Sequence, residues 1–233
     1  MKNRRSVYIK SFLKRLKASG VLVPVLIFAV LLAAAVIIGV AVSKGSSGGK
    51  LVVCLDPGHG GDDFGTVDSS DERWEKVDNL EFALLVKEKL CEGGAEVIMT
   101  REEDKTVSLS ERCKKANRKK ADYFICLHRN GSDNTEAKGV EIWISENAGK
   151  KETLLAENIL KELKKVGISD DRGIKKGFRD DSATDFYINA NTNMPSCLVE
   201  MLFVTNEEDN KLFDENKEAF AEAVADAIFK TAK

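Results

Sequence analysis

The sequence predicts a single α/β domain, built on a mixed, largely parallel sheet flanked by helices and preceded by one N-terminal transmembrane helix. Three observations predict it. From Leu51 onward the apolar pattern switches repeatedly between strand-like runs and helical periodicity, the signature of an α/β domain. Ahead of that, Val21 to Val42 is 22 residues without a charge, and about 20 apolar residues suffice to cross a bilayer as a helix. A short Gly/Ser stretch separates the two. The 233 residues thus divide into a basic segment (1–20), a membrane span (21–43), a linker (44–50) and one domain of ordinary size (51–233).

The formal net charge of −2 hides a division. Residues 1–50 hold nine Lys or Arg and no acid, whereas 51–233 hold 27 basic against 38 acidic residues, a net of −11. Binding to a phosphate backbone rests on Lys and Arg, so this acidic domain excludes nucleic acid as a partner. Seven of the nine basic residues precede the span. The positive-inside rule then keeps the N-terminus in the cytoplasm and sends the domain to the other side of a cell membrane, crossed once. A cleavable signal peptide is the competing reading, with Ala41-Val42-Ser43 as its cleavage site. Its apolar core would run only about 7 to 15 residues, which favours the uncleaved anchor. Pro24 is tolerated in a membrane helix. The linker KGSSGGK spans about 15 Å as a flexible coil, which keeps the domain close to the membrane.

Within the domain, strands are expected at Leu51–Leu55, Glu96–Thr100, Tyr123–Leu127, Val140–Ser145, Phe186–Ile188 and Ser196–Val199. Helical spacing appears in Leu80, Ala83, Leu84 and Cys91; in Leu109, Cys113 and Ala116; in Leu155, Ile159, Leu163 and Val166; and in Phe220, Val224, Ala227 and Ile228. The order β-α-β-α-β-β-α-β-β-α implies crossovers between parallel neighbours. From Gly167 to Pro195 only one short strand interrupts a connection of unusual length, which reads as a functional surface. The five cysteines, Cys54, Cys91, Cys113, Cys126 and Cys197, include no C-x-x-C pair and fall in apolar or helical patterns. They read as small buried hydrophobes rather than a disulfide framework or metal site.

The chemistry begins with the two histidines, both of which follow apolar runs. His59 lies in LVVCLDPGHGG, where glycines let the chain turn sharply and leave room beside an imidazole. His128 lies in YFICLHRNG. Ligands of open α/β sheets collect outside the carboxyl ends of strands, where both histidines are expected. Two acids fit the same edge. Glu75 stands at the start of the helix that follows the His59 loop, a position that taken singly suits a solvated helix-start acid. Glu200 follows the very apolar run Cys197–Val199, where an unsatisfied charge would be costly. Two imidazoles and a carboxylate suit Zn²⁺ with a fourth position for water, and the remaining carboxylate suits a general base.

These residues stand in motifs that carry a family resemblance. DPGHGG with His59, EKVDNL with Glu75, Thr100-Arg101, SLSERCKKAN from Ser108, FICLHRN with His128, GVEIW from Gly139 and MPSCLVEMLFVTN with Glu200 occur in order over about residues 51–231. Together they resemble the zinc-dependent N-acetylmuramoyl-L-alanine amidases. The resemblance implies a single α/β domain with a mixed sheet, zinc held by His59, Glu75 and His128, and Glu200 as the catalytic acid–base. It also implies hydrolysis of the amide joining N-acetylmuramic acid to L-alanine in peptidoglycan. Arg129 stands where the family often has a small residue, and Met201-Leu202 where a Thr-Gly pair is common. Those two departures bear on pocket shape and substrate preference. No wall-binding repeat accompanies the domain, so positioning falls to the membrane span or to a protein activator. Short, N-terminally anchored amidases of this layout resemble those that trim peptidoglycan during sporulation. Other zinc wall hydrolases, peptidase or deacetylase, and a silent wall-binding protein are the alternatives.

Further residues carry weaker signals. Asp56 suits either a partner that orients a metal ligand or turn chemistry. Asn79 and Arg101 match family positions and read as structural, and Asn130 and Asn206 stand where substrate could be touched. Lys114, Lys115, Arg118, Lys119 and Lys120 read as the solvated face of a helix. The glycines at 58–61 are no phosphate cradle, because no GK[ST] follows.

Overall fold

The structure, a computed structural model, describes residues 49–68, 70, 72–179 and 184–233. The expected membrane span lies outside the described residues, among which no helix is long and apolar enough to cross a membrane. Lys50–Lys233 forms one compact unit.

Its elements run β1 (Val52–Pro57), α1 (Glu75–Glu92), β2 (Glu96–Met99), α2 (Leu109–Lys119), β3 (Tyr123–Asn130), β4 (Val140–Ile144), α3 (Lys150–Val166), β5 (Asp171–Lys176), α4 (Tyr187–Asn191), β6 (Ser196–Phe203) and α5 (Glu207–Thr231). One six-stranded sheet results, in the order β2-β1-β3-β6-β4-β5. The first four strands of that order are parallel, β4 is antiparallel to β6, and β5 is parallel to β4. This is the mixed sheet the alternating pattern implied. The chain moves from β1 to β2 on one side and then returns to β3 on the other, so the sheet changes winding direction between β1 and β3. Such a switch point leaves a crevice beyond the carboxyl ends of its two strands.

The helices form two unequal layers. On one face α1, α3 and α5 cover the larger core, with Phe82, Ile159, Phe220 and Val224 set against Val53, Leu55, Ile125 and Val199. Each such side chain, fully buried, contributes about 1.5–3 kcal/mol. On the other face, α2 and α4 supply Cys113, Ala116 and Ile188 against Cys54, Phe124, Cys126 and Leu198. Side chains alternate across a strand, so the even-numbered positions of β1, of β3 as far as His128 and of β6 as far as Glu200 point to this thinner side. His128 and Glu200 are among them.

Local chemistry sets the ends of the elements. Ser108 and Glu111 form a reciprocal capping box at the start of α2, which ends at Lys120 in the left-handed conformation (φ 52°). Asn206 caps α5 by accepting from the Asp209 amide.

Four sequence expectations need correction. No strand forms at Phe186–Ile188; Phe186 precedes the short helix α4, whose Ile188 is buried in the smaller core. The strand of that region is β5, with the sequence DRGIKK. It lies at the sheet edge, where charged residues are favoured over the apolar alternation that marks an inner strand. Thirdly, His128 and Glu200 lie inside their strands rather than at the ends, because β3 continues to Asn130 and β6 to Phe203. The apolar run stops where side chains turn polar, while backbone pairing continues. Four of the five cysteines are buried and all five are free thiols, but Cys91 is exposed on α1, against the expectation of burial.

Candidate active site

His59 follows β1 in a loop held by two buried arginines. Arg112 donates to the carbonyls of Pro57 (2.7 Å) and His59 (2.8 Å) and to Asp56 Oδ1 (2.7 Å). Arg101 donates to the carbonyls of Pro57, Gly58 and Lys76. The residue itself adopts φ 58°, a left-handed conformation uncommon outside glycine. Strained backbone of this kind persists where the surroundings over-determine it, as these donors do.

Gly58 makes room for the second histidine. A Cβ on Gly58 would meet Nε2 of His128 at 2.2 Å. His128 itself projects from β3 on the thinner face, and its ring meets that of His59 edge-on with centroids 4.7 Å apart.

Glu75, the first residue of α1, is 2% exposed and links the two imidazoles. Its Oε1 lies 2.8 Å from His128 Nδ1 and also accepts from the Arg129 amide (3.1 Å) and Asn79 Nδ2 (3.2 Å). Its Oε2 accepts from the Thr66 amide (2.8 Å) and lies 3.3 Å from His59 Nε2. Burial alone would raise the Glu75 pKa, but hydrogen bonds from His128 and His59 outweigh it and hold the carboxyl well below its usual range. Burial likewise opposes charge on His59, yet Glu75 and Asp63 prevail and lift it to about 9. Asp63 Oδ1 is 2.8 Å from His59 Nδ1 but poorly aligned, so that buried nitrogen has no hydrogen-bond partner among the described residues.

His59, Glu75 and His128 each offer a ligand atom within 4.8 Å of the others. Tetrahedral zinc with bonds of about 2.0–2.1 Å sets neighbouring ligand atoms about 3.3 Å apart. The carboxylate–imidazole approaches of 2.8 and 3.3 Å suit such a cation. A buried carboxylate between two imidazoles is a donor set that a divalent metal fits.

Glu200 sits opposite His128 in the β3–β6 register. Its Oε1 accepts from Arg179 Nη2 at 2.6 Å, while its buried Oε2 has no hydrogen-bond partner among the described residues. Burial raises its pKa, helped by the Glu75 charge and opposed by His128 and Arg179. All four expected residues line one cavity of about 730 Å³. Its other arm is apolar, with Val107 and Leu109 facing Tyr187, Ile188 and Leu198.

Among the weaker candidates, Asp56 lines the cavity, whereas Asn79, Arg101, Asn130 and Asn206 do not. Asp56 neither orients a histidine nor makes a turn; it is a buried ion-pair partner of Arg112 that also takes bonds from Thr100 and Cys126. Asn79 and Arg101 brace the site. Asn206 is a helix cap, and Asn130 is buried and donates to Glu141. Arg129 borders the cavity, but its side chain is engaged elsewhere. Its guanidinium pairs with Asp78 and lies 4.1 Å from the centre of the Phe213 ring, on the α1/α5 side. Leu202 is buried with φ 64°, the conformation for which glycine is the easier residue. Sequence reasoning missed Arg112 and Arg179, although Arg112 lies within the SLSERCKKAN run and Arg179 within the long 167–195 connection.

Residues 53–230 match the family model described as N-acetylmuramoyl-L-alanine amidase (Amidase_3). The chain is 36% identical over 178 residues to the uncharacterized protein YqiI of Bacillus subtilis, covering 76% of this chain and 80% of that one. It is 35% identical over 160 residues to the N-acetylmuramoyl-L-alanine amidase LytC of Bacillus subtilis, covering 67% of this chain but 30% of LytC. A solved structure of the CwlD amidase from Clostridioides difficile, in complex with the GerS lipoprotein, superposes with a TM-score of 0.70 at 27% identity, covering 78% of this chain and 98% of that one.

Proposed function

Because the chain belongs to the N-acetylmuramoyl-L-alanine amidase family, we propose that it hydrolyses the amide between N-acetylmuramic acid and L-alanine in peptidoglycan, with Glu200 as the catalytic acid–base and His59, Glu75 and His128 as ligands of zinc. One observation carries the assignment. A His-Glu-His set of metal-binding geometry lies beside a buried carboxylate on the strand next to that of His128, and one oxygen of that carboxylate has no hydrogen-bond partner among the described residues. When bound, zinc supplies a Lewis acid that polarises the amide carbonyl and makes water a nucleophile near neutral pH.

The chain's own residues do the rest. Glu200 Oε2 takes a proton as water attacks the lactyl carbonyl carbon. The C–N bond then breaks and Glu200 returns that proton to the departing L-alanine nitrogen, leaving a carboxylic acid on the muramic acid and a free amine on the stem peptide. Burial of Glu200 favours its protonated form, which suits the return step. The apolar arm between Leu109 and Tyr187 gives uncharged parts of the substrate a surface beside the polar centre.

Residues 21–43 are proposed to anchor the domain on the outer side of the cell membrane, with the N-terminus cytoplasmic. Support comes from the uncharged length of that run and the seven basic residues before it. A role in sporulation, with a protein activator, is proposed from the short anchored layout. The likeness to CwlD, solved in complex with the GerS lipoprotein, supports the protein partner.

The test uses the full chain in detergent, with zinc content measured alongside mass spectrometry of digested peptidoglycan. Bound zinc with release of stem peptides that begin in L-alanine is expected, and Glu200→Gln should keep the zinc and lose the release. Release by Glu200→Gln at the parent rate would remove Glu200 from its role. A product cut within the stem peptide, or loss of acetyl groups alone, would replace the amidase reading.

A further inference from the structure

We propose that Arg179 is a positioning residue for Glu200: it anchors Oε1 so that Oε2 alone is presented to the reacting centre. The inference rests on the amidase reading of the same site. It starts from two buried acids that face each other across the sheet, since Glu141 on β4 is the register partner of Glu200 on β6. Like charges directly opposed on neighbouring strands destabilise a sheet. Each acid has its own arginine, Arg172 on Glu141 (3.0 Å) and Arg179 on Glu200 (2.6 Å).

The two acids are nonetheless treated differently. Glu141 is engaged at both oxygens: Oε1 accepts from Asn130 Nδ2 and Trp143 Nε1, and Oε2 from Arg172 Nε. It lines no part of the active-site cavity. Among the described residues Glu200 is engaged at Oε1 alone, and it lines that cavity, as does Arg179. A guanidinium normally grips a carboxylate with a two-pronged fork that occupies both oxygens. Here Nη2 takes one oxygen of Glu200 and turns its remaining reach to Asn130 Oδ1 at 3.4 Å. Asn130 is itself fixed by its bonds to Glu141 and to the Gly131 amide. Asn130 thus gives the guanidinium a second acceptor that is not Oε2. A purely compensating arginine would have no reason to leave Oε2 bare in a buried setting, where an unpaired oxygen is costly. Misplacing a reacting group by about 1 Å costs about 100-fold in rate, so an acid free to rotate should turn over far more slowly.

The experiment compares the full-length parent, Arg179→Ala, Arg179→Lys, Glu200→Gln and the Arg179→Ala/Glu200→Gln double variant in detergent, with zinc content and melting temperature recorded for each. Arg179→Ala is expected to lower kcat about 10- to 100-fold with KM within about twofold, at unchanged zinc content and melting temperature. Arg179→Lys and added guanidinium ion should each restore part of the rate, and the double variant should be no slower than Glu200→Gln. A change confined to KM would make Arg179 a substrate-binding residue and overturn the proposal. A faster Arg179→Ala enzyme would make it an inhibitory latch and overturn it too. Crystal structures of zinc-loaded parent and Arg179→Ala decide the matter without turnover. One Glu200 orientation in the parent and several in the variant support the proposal, whereas the same single orientation in both refutes it. A parent that binds zinc but releases no stem peptide would refute the amidase reading alone, leaving those two structures to judge Arg179.

Discussion

Gly58→Ala should fold and yet lose most of its affinity for zinc. The added Cβ would lie 2.2 Å from Nε2, 2.3 Å from Cε1 and 2.7 Å from Cδ2 of the His128 imidazole. Ordinary carbon contacts are about 3.5–4.0 Å, so the ring must move by more than about 1 Å. Metal–ligand bonds tolerate only about 0.2 Å. The displaced ring also leaves Glu75 Oε1, now 2.8 Å from Nδ1, and so disturbs a second ligand. Disturbing groups that merely orient a ligand costs about 10- to 100-fold in metal affinity. Moving a ligand itself should cost at least about 100-fold, which is about 2.8 kcal/mol at 1.4 kcal/mol per tenfold. Gly58 does not hold a positive φ, so alanine brings no backbone strain. The measurement is a competition titration against a zinc-buffering chelator, with melting of the metal-free proteins as the control for folding. An affinity within about threefold of the parent, in a well-folded variant, would refute the placement of His128 against that loop.

Arg112→Met should destabilise the fold by about 3–5 kcal/mol, read from urea unfolding, because it strands the buried Asp56 carboxylate. His59→Ala should lose both zinc and turnover by metal analysis and wall digestion. Glu200→Gln should lose turnover by at least about 100-fold at full zinc. Metal-free protein should show a pH signature at His59, whose folded pKa of about 9 lies above the ordinary value of 6.5. The stabilisation from its carboxylate partners is then complete below about pH 6.5 and lost as pH rises through about 9, so the melting temperature should fall across that interval and the fall should vanish in His59→Ala. Glu141 gives the opposite slope. Burial would raise its pKa, but Arg172, Trp143 and Asn130 outweigh this and lower it, so its stabilisation is present above the ordinary carboxylate value of 4.5 and fades as pH drops through the folded one. Arg172→Met should flatten the acid limb of a stability–pH curve.

Much of this site could be read before any fold was known, because it is assembled from residues whose types are scarce. With two histidines in the whole chain, both after apolar runs, few arrangements were open. Glu75 shows the limit of that reasoning. A carboxylate at a helix start is ordinarily solvated, and only the fold reveals it 2% exposed and shared between two imidazoles. Residues that act through long-range pairing left no local mark. Arg112 touches Asp56 from 56 residues away, and Arg179 reaches Glu200 across 21. The edge strand β5 escaped for a different reason, since DRGIKK is neither apolar nor alternating and is held by pairing with β4 alone.

Side-chain alternation explains why the reacting groups face the side they do. Cys54 and Asp56 of β1, Cys126 and His128 of β3, and Leu198 and Glu200 of β6 share one parity, so the side that buries Cys54, Cys126 and Leu198 also carries the polar groups at the carboxyl end. That face is covered by α2 and α4, of 11 and five residues, whereas the other carries helices of 18, 17 and 25. A one-residue register slip would move His128 and Glu200 under the thick layer and bring Arg129 and Met201 to the cavity. Arg129 instead meets Asp78 and Phe213 on the thick side, which favours the observed parity of β3 by giving its charge a partner there. The departure from a small residue at 129 therefore acts on register and packing. The cavity wall beside the polar centre is supplied by other residues, Leu109 and Tyr187 among them.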